Sequence, residues 1–226
     1  MTSFGEAYSA TRGRVIDLAS GLSDEAAARR VPACPDWTVR DVLGHLTGIA
    51  VDATKGELEG VGSPEWTQRQ VDERKDLTIG ELLAQWEEAG KQIDGALEHF
   101  PKAAASLFVG DTVTHEHDIR HPLAKAGDRA APAIVLAVDG YRRWFGRRIK
   151  DRAMPAVRLR AEGREWVAGA GDPAVTVDAP STFDLLRGLT GRRTRDEIAA
   201  FEWSGDPEPY LDLFSSYGMP AAPLGE

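Results

Sequence analysis

Residues 110–121 read GDTVTHEHDIRH and hold three of the five histidines of a 226-residue chain, with two aspartates among them. Read as a strand, His115 and His117 alternate, and the valines and threonines have strand propensity. Read as a helix, residues three and four apart share a face. No nearby segment offers a partner strand, so the stretch is predicted to be helical from about residue 104 to 120. That reading makes the first 150 residues a set of helices.

The neighbouring segments agree. Phe4, Tyr8, Val15, Leu18 and Leu22 trace a first amphipathic stripe. The proline-rich PACPDW at 32–37 interrupts it as a connection. Thr38, with Asp41 three residues on, is a capping-box variant that opens a second helix to about Glu57, with Val42, His45, Leu46, Ile49 and Ala53 on one face. Residues 59–77 are polar and punctuated by Gly60, Gly62 and Pro64, a long connection with one short helix. Thr78 and Glu81 open a third helix faced by Leu82, Trp86, Ala89, Ile93, Leu97 and Phe100. Pro132 starts another, through Val135, Val138, Tyr141, Trp144 and Phe145, ending near Arg152.

After Pro155 the period changes. AVRLRAEG and REWVAGAG alternate about Gly163 as a strand pair, AVTVDAP is a third strand, and STFDLLRGLTGRR (capped by Ser181 or Thr182) and TRDEIAAF are helical. The tail after Gly218 is expected to be loose. The predicted fold class is α+β: a helical bundle over residues 1–152, then a small α+β domain over 156–226.

Composition bounds the function. A hydrophobic fraction of 42% with 28% charged residues describes a globular chain, and a net charge of −9 argues against nucleic acid or anionic membrane as partner. The single cysteine, Cys34, excludes an internal disulfide framework and fits a reducing cytoplasm. No apolar run has the length of a membrane helix, and residues 1–22 lack the apolar core of a secretory signal. A cytoplasmic protein, monomer or homodimer, is expected.

On the helical reading Asp111, His115 and Asp118 share one face, and His117 and His121 form another, solvated one. Asp111 and His115, at i and i+4, are spaced to grip one ion. The third ligand must come from another helix, and His45, in the apolar stripe of the second, is the candidate. Two imidazoles and a carboxylate leave a coordination position open, the pattern of a catalytic rather than a structural site. Zinc is the ordinary occupant; Fe(II), Ni(II) and Mn(II) take the same ligands. Asp41, one turn before His45, is placed to accept the other ring N–H, and Asp118 offers a similar supporting carboxylate. A hydrogen-bonded core histidine and a surface Asp–His pair are the plain alternatives, and spacing alone leaves them open.

CPDWTVRDVLGHLTG at 34–48 resembles the signature of the mycothiol-dependent maleylpyruvate isomerase family, a proline and tryptophan before a helix carrying a ligand histidine. DTVTHEHDIR at 111–120 is similar to its second signature, with an acid four before a histidine and an aspartate three after. LLRGLTGRRTRDEIAAFEWSGDPEPYLDL at 185–213 resembles its C-terminal segment. The resemblance implies a DinB-like four-helix bundle that holds a divalent metal, usually zinc, with a small α+β domain behind it. Carried over, the ligands fall on His45, Asp111 and His115. The acid here is Asp111 where the isomerase has Glu, which draws the ion toward this helix or leaves room for a water. Gly191-Arg192 matches the family's Gly-Arg, whose arginine assists near the active site; an arginine closing a helix or pairing with Asp184 is the structural alternative.

The resemblance implies a metal-dependent thiol enzyme using mycothiol on a small electrophile, by thiol transfer or addition–elimination isomerisation. Arg192 would hold an anionic group of the substrate, and Cys34 is not needed as nucleophile. A thiol-independent metal hydrolase and a non-catalytic metal- or ligand-binding module are the rival readings.

Overall fold

The computed structural model describes residues 2–226. In chain order the elements are α1 (Phe4–Ala19), α2 (Asp24–Ala27), β1 (Arg30–Val31), β2 (Cys34–Thr38), α3 (Val39–Lys55), α4 (Pro64–Asp72), α5 (Ile79–Ala96), α6 (Lys102–Arg120), α7 (Pro132–Asp151), β3 (Ala156–Ala161), β4 (Arg164–Ala168), β5 (Pro173–Asp178), α8 (Thr182–Leu189), α9 (Arg195–Ala199), β6 (Glu202–Trp203) and α10 (Glu208–Leu211). The α+β class is as expected. Among the described residues no helix is long and apolar enough to cross a membrane.

The chain forms two compact units. The first runs to Ala105 and adds His115–Gly127; the second is Ser106–Thr114 with Asp128–Glu226. In the second unit α7 packs against α8, β3 and β4. Gly146 makes that packing close: a Cβ there would stand 2.5 Å from the Gly169 nitrogen.

In the first unit local chemistry sets the helix starts. Thr38 with Asp41 and Thr78 with Glu81 are complete capping boxes at α3 and α5, and Ser3 with Glu6 forms another at α1. The apolar faces then meet in a core of Val15, Val39, Val42, Leu43, Leu46, Leu82 and Trp86, joined by Ile119 and Leu123 from the end of α6. Trp86 donates its indole N–H to the Tyr8 hydroxyl at 2.9 Å, which satisfies both buried polar atoms. Residues 32–37, expected as a connection, lie within a small antiparallel hairpin that pairs Arg30 with Thr38. Arg30 braces it by donating to the Asp36 carbonyl at 2.6 Å.

In the second unit β3 and β4 form the expected hairpin, with Arg158 opposite Val167. Glu162 and Gly163 at its turn both take positive φ, 49° and 74°, the type I′ geometry that matches strand twist. The third strand, β5, pairs parallel to β3, and a short β6 that sequence periodicity had not marked pairs antiparallel to β5. The tail is not loose at its end, since Arg187 and Arg193 both bind the Glu226 carboxylate.

Helix α6 departs most from expectation. His117 and His121 were read as a solvated face, yet His117 is buried and His121 half-buried. Glu116 is fully buried, held by Arg14 (2.8 and 2.6 Å) and by Arg120 (3.1 Å). The loop residue Gly127 closes over His117, where a Cβ would come within 2.5 Å of the imidazole. The helix is covered on nearly every face, so a polar sequence did not mean a wet one.

Candidate metal centre

The buried polar side chains of the first unit gather around His45 and His115. The β1–β2 hairpin delivers Cys34 and Trp37, α3 delivers His45, and the second half of α6 delivers His115 and Asp118. The two imidazoles lie edge to face with ring centroids 5.2 Å apart, and both are buried. Trp37 packs over them, 5.1 Å from His45 and 6.2 Å from His115.

Asp111 and His115 ride on one unbroken helix a turn apart, so α6 itself fixes their spacing. Within the first unit, Cys34, His115 and Asp118 form a group in which one donor atom of each lies within 4.8 Å of the other two. In it Asp118 Oδ2 is 3.0 Å from His115 Nδ1 and the Cys34 thiol is 3.9 Å from that same oxygen. The fully buried Asp118 thus stands where a carboxylate orienting His115 belongs. Buried imidazoles and carboxylates are costly to leave without charge partners, and this donor set suits a divalent ion.

Asp41 does not take the place expected for it. Its Oδ2 accepts from the Thr38 backbone N–H and hydroxyl, both at 2.8 Å, in the cap of α3. His45 Nδ1 instead faces Gln70 Oε1 of α4 at 2.8 Å, and Gln70 Nε2 donates to Asp52 Oδ2 at 2.9 Å. Sequence reasoning missed Gln70, Asp52 and Trp37 as site residues. Asp52 carried a signal, an acid two turns after His45 in the same helix. Gln70, in a polar segment without periodicity, carried none.

In the second unit, Arg192 is buried and donates to the Thr190 carbonyl at 2.5 Å. Its neighbour Arg193 donates to Asp184 Oδ1 at 2.9 Å. Gly191 before Arg192 takes φ +77°, and a Cβ there would strike the Gly218 carbonyl oxygen at 2.3 Å. Tyr217 leaves 55% of its surface open. Burial first and the Asp111 carboxylate second push its hydroxyl up to about 12, against the opposing pull of Arg192 and Arg148. Arg192 and Asp111 therefore act on one phenol.

No curated protein matches this chain in sequence. Two solved structures resemble it: the mycothiol-dependent maleylpyruvate isomerase, at 14% identity and TM-score 0.59, and a histidine-to-alanine mutant of that enzyme, at 12% and 0.60. Each alignment covers 90% of this chain and 96% of the other. At these identities the likeness is one of fold. The family model described as mycothiol maleylpyruvate isomerase N-terminal domain matches residues 8–126, more than half of the chain. That stretch contains His45, Asp111 and His115, and over it the chain belongs to the mycothiol maleylpyruvate isomerase N-terminal domain family.

Proposed function

We propose that this protein is a metal-dependent thiol enzyme that uses mycothiol on a small electrophilic substrate, by thiol transfer or addition–elimination isomerisation. One observation carries the reading: in a member of this family, the buried imidazoles of His45 and His115 lie edge to face with ring centroids 5.2 Å apart, and Asp111 precedes His115 by one turn of the same helix. His45, Asp111 and His115 would hold a divalent ion, for which zinc suits the donor set. Such an ion supplies Lewis acidity that lowers the pKa of a thiol at its open position. Asp118 orients the His115 ring, and Trp37 keeps bulk water from the two imidazoles. Arg192 offers a fixed cation to an anionic group of the substrate. Tyr217, a phenol protonated at neutral pH like any tyrosine, offers a hydrogen-bond donor there.

In the isomerisation the thiol sulfur adds to one carbon of a conjugated double bond, that bond rotates as a single bond, and the C–S bond breaks again. The thiol is returned unchanged. Metal analysis of the purified protein, with turnover of one electrophile measured with and without mycothiol, tests the reading. Bound metal and a rate that depends on thiol support it. A rate indifferent to thiol favours a metal-hydroxide hydrolase, and metal without turnover of any electrophile favours a binding module.

A further inference from the structure

Three buried side chains in the first unit form a line that the proposed chemistry does not use. His45, Gln70 and Asp52 are 4%, 0% and 1% exposed. Gln70 Oε1 meets His45 Nδ1 at 2.8 Å, and Gln70 Nε2 donates to Asp52 Oδ2 at 2.9 Å. Arg69 Nη2 donates to that same Asp52 oxygen at 3.1 Å. A carboxylate paired with a guanidinium only accepts hydrogen bonds. The amide nitrogen of Gln70 must therefore face Asp52, which turns its oxygen, also only an acceptor, toward the imidazole.

We infer that Gln70, oriented by Asp52, is a positioning residue that holds His45 in the Nδ1–H tautomer and so presents the Nε2 lone pair to the metal. The inference rests on the reading of His45 as a ligand. Neutral imidazole carries one proton, and an acceptor fixed at Nδ1 decides which nitrogen has it. Were the amide reversed, its N–H₂ would face Nδ1, the proton would move to Nε2, and no lone pair would remain there for an ion.

The backbone is shaped for this contact. A Cβ at Gly48 would lie 2.5 Å from Gln70 Cβ and 2.7 Å from Cγ. Gly48, on α3, lets α4 approach closely enough for Gln70 to reach the ring. GHLTG at 44–48 thus encodes both the imidazole and the notch that admits its partner.

The experiment is histidine ring ¹⁵N NMR on the metal-free protein, at a pH above imidazole titration, joined to Co(II) titration of the same samples. Wild type should show His45 as the Nδ1–H form, the rarer tautomer of free imidazole. Gln70→Leu and Asp52→Leu should revert it to Nε2–H and weaken Co(II) binding by about 10- to 100-fold. Asp52→Asn, whose carbonyl oxygen still accepts from the amide, should restore both readouts to within a few-fold. Wild-type His45 in the Nε2–H form overturns the inference without any variant, as does Gln70→Leu with unchanged tautomer and affinity. If wild type binds no Co(II), the metal reading fails and the tautomer result still decides the role of Gln70.

Discussion

Helices α5 and α6 are of nearly equal length, 18 and 19 residues, and they are buried in different ways. In α5 the hidden residues are Leu82, Leu83, Trp86, Ala89, Gly90 and Ile93, a single stripe, and the charged residues face outward. In α6 nearly every position from Val109 to Ile119 is covered, and His115, Glu116, His117 and Asp118 are covered in sequence. Burying the α5 stripe stabilises the fold by the transfer of apolar surface. Burying two acids and two imidazoles does not, because each costs several kcal/mol of desolvation that paired charges return only in part. Apolar residues of similar volume would serve stability at least as well. Helix α5 is written for folding, whereas the second half of α6 buries polar groups that folding alone does not call for.

Substitutions should separate these two roles. The largest effect falls on metal affinity: His45→Ala or His115→Ala should weaken binding at least about a thousandfold, about 4 kcal/mol, while His121→Ala leaves it unchanged. Metal content after dialysis and chelator competition check this, and metal retained in both ligand variants would dissolve the contrast. Trp86→Ala should lower stability by about 3–4 kcal/mol in urea unfolding, since it empties a fully buried site and removes the indole donor from the Tyr8 hydroxyl. Its folded fraction should still take up metal.

Glu116→Ala should cost about 2 kcal/mol, less than the about 3–5 kcal/mol for breaking a wholly buried pair. Its partners Arg14 and Arg120 keep 27% and 14% side-chain exposure and can turn to water. A gain in stability would mean that even this acid is tuned for something other than folding. The smallest effect is in alkali. Burial pushes the Tyr8 hydroxyl up to about 12 from its ordinary 10. The folded state therefore keeps the proton longer than the unfolded state, and its contribution is whole below pH 10. That contribution should be lost as pH climbs through 12, by up to about 2 kcal/mol. Tyr8→Phe should flatten the pH dependence of unfolding in that window.

Legibility in the sequence followed the range of the interaction. The capping boxes at Thr38–Asp41 and Thr78–Glu81 are complete within four residues, and the helices they open begin where predicted. The β3–β4 hairpin is equally local. The parallel pairing of β3 with β5 and the addition of β6 depend on contacts tens of residues apart, which no local period encodes. At the site, i,i+4 spacing singled out Asp111 and His115 because one helix sets it. Gln70 was invisible because its meaning comes from a glycine, Gly48, on another helix. The same locality misplaced Asp41: the carboxylate nearest His45 along the chain was already committed to closing the helix start.

Trp37 has one more consequence. Its indole lies 5.1 Å from His45 and 6.2 Å from His115, on a hairpin at the edge of the cluster. At such range an ion with unfilled d-orbitals drains the excited state of the ring, whereas a filled-shell ion leaves it bright. Cobalt or copper entering among these residues should therefore darken one of six tryptophans, and zinc displacing it should restore the light. Trp37→Phe supplies the baseline to subtract, so the protein carries its own optical gauge of what lies between the two imidazoles.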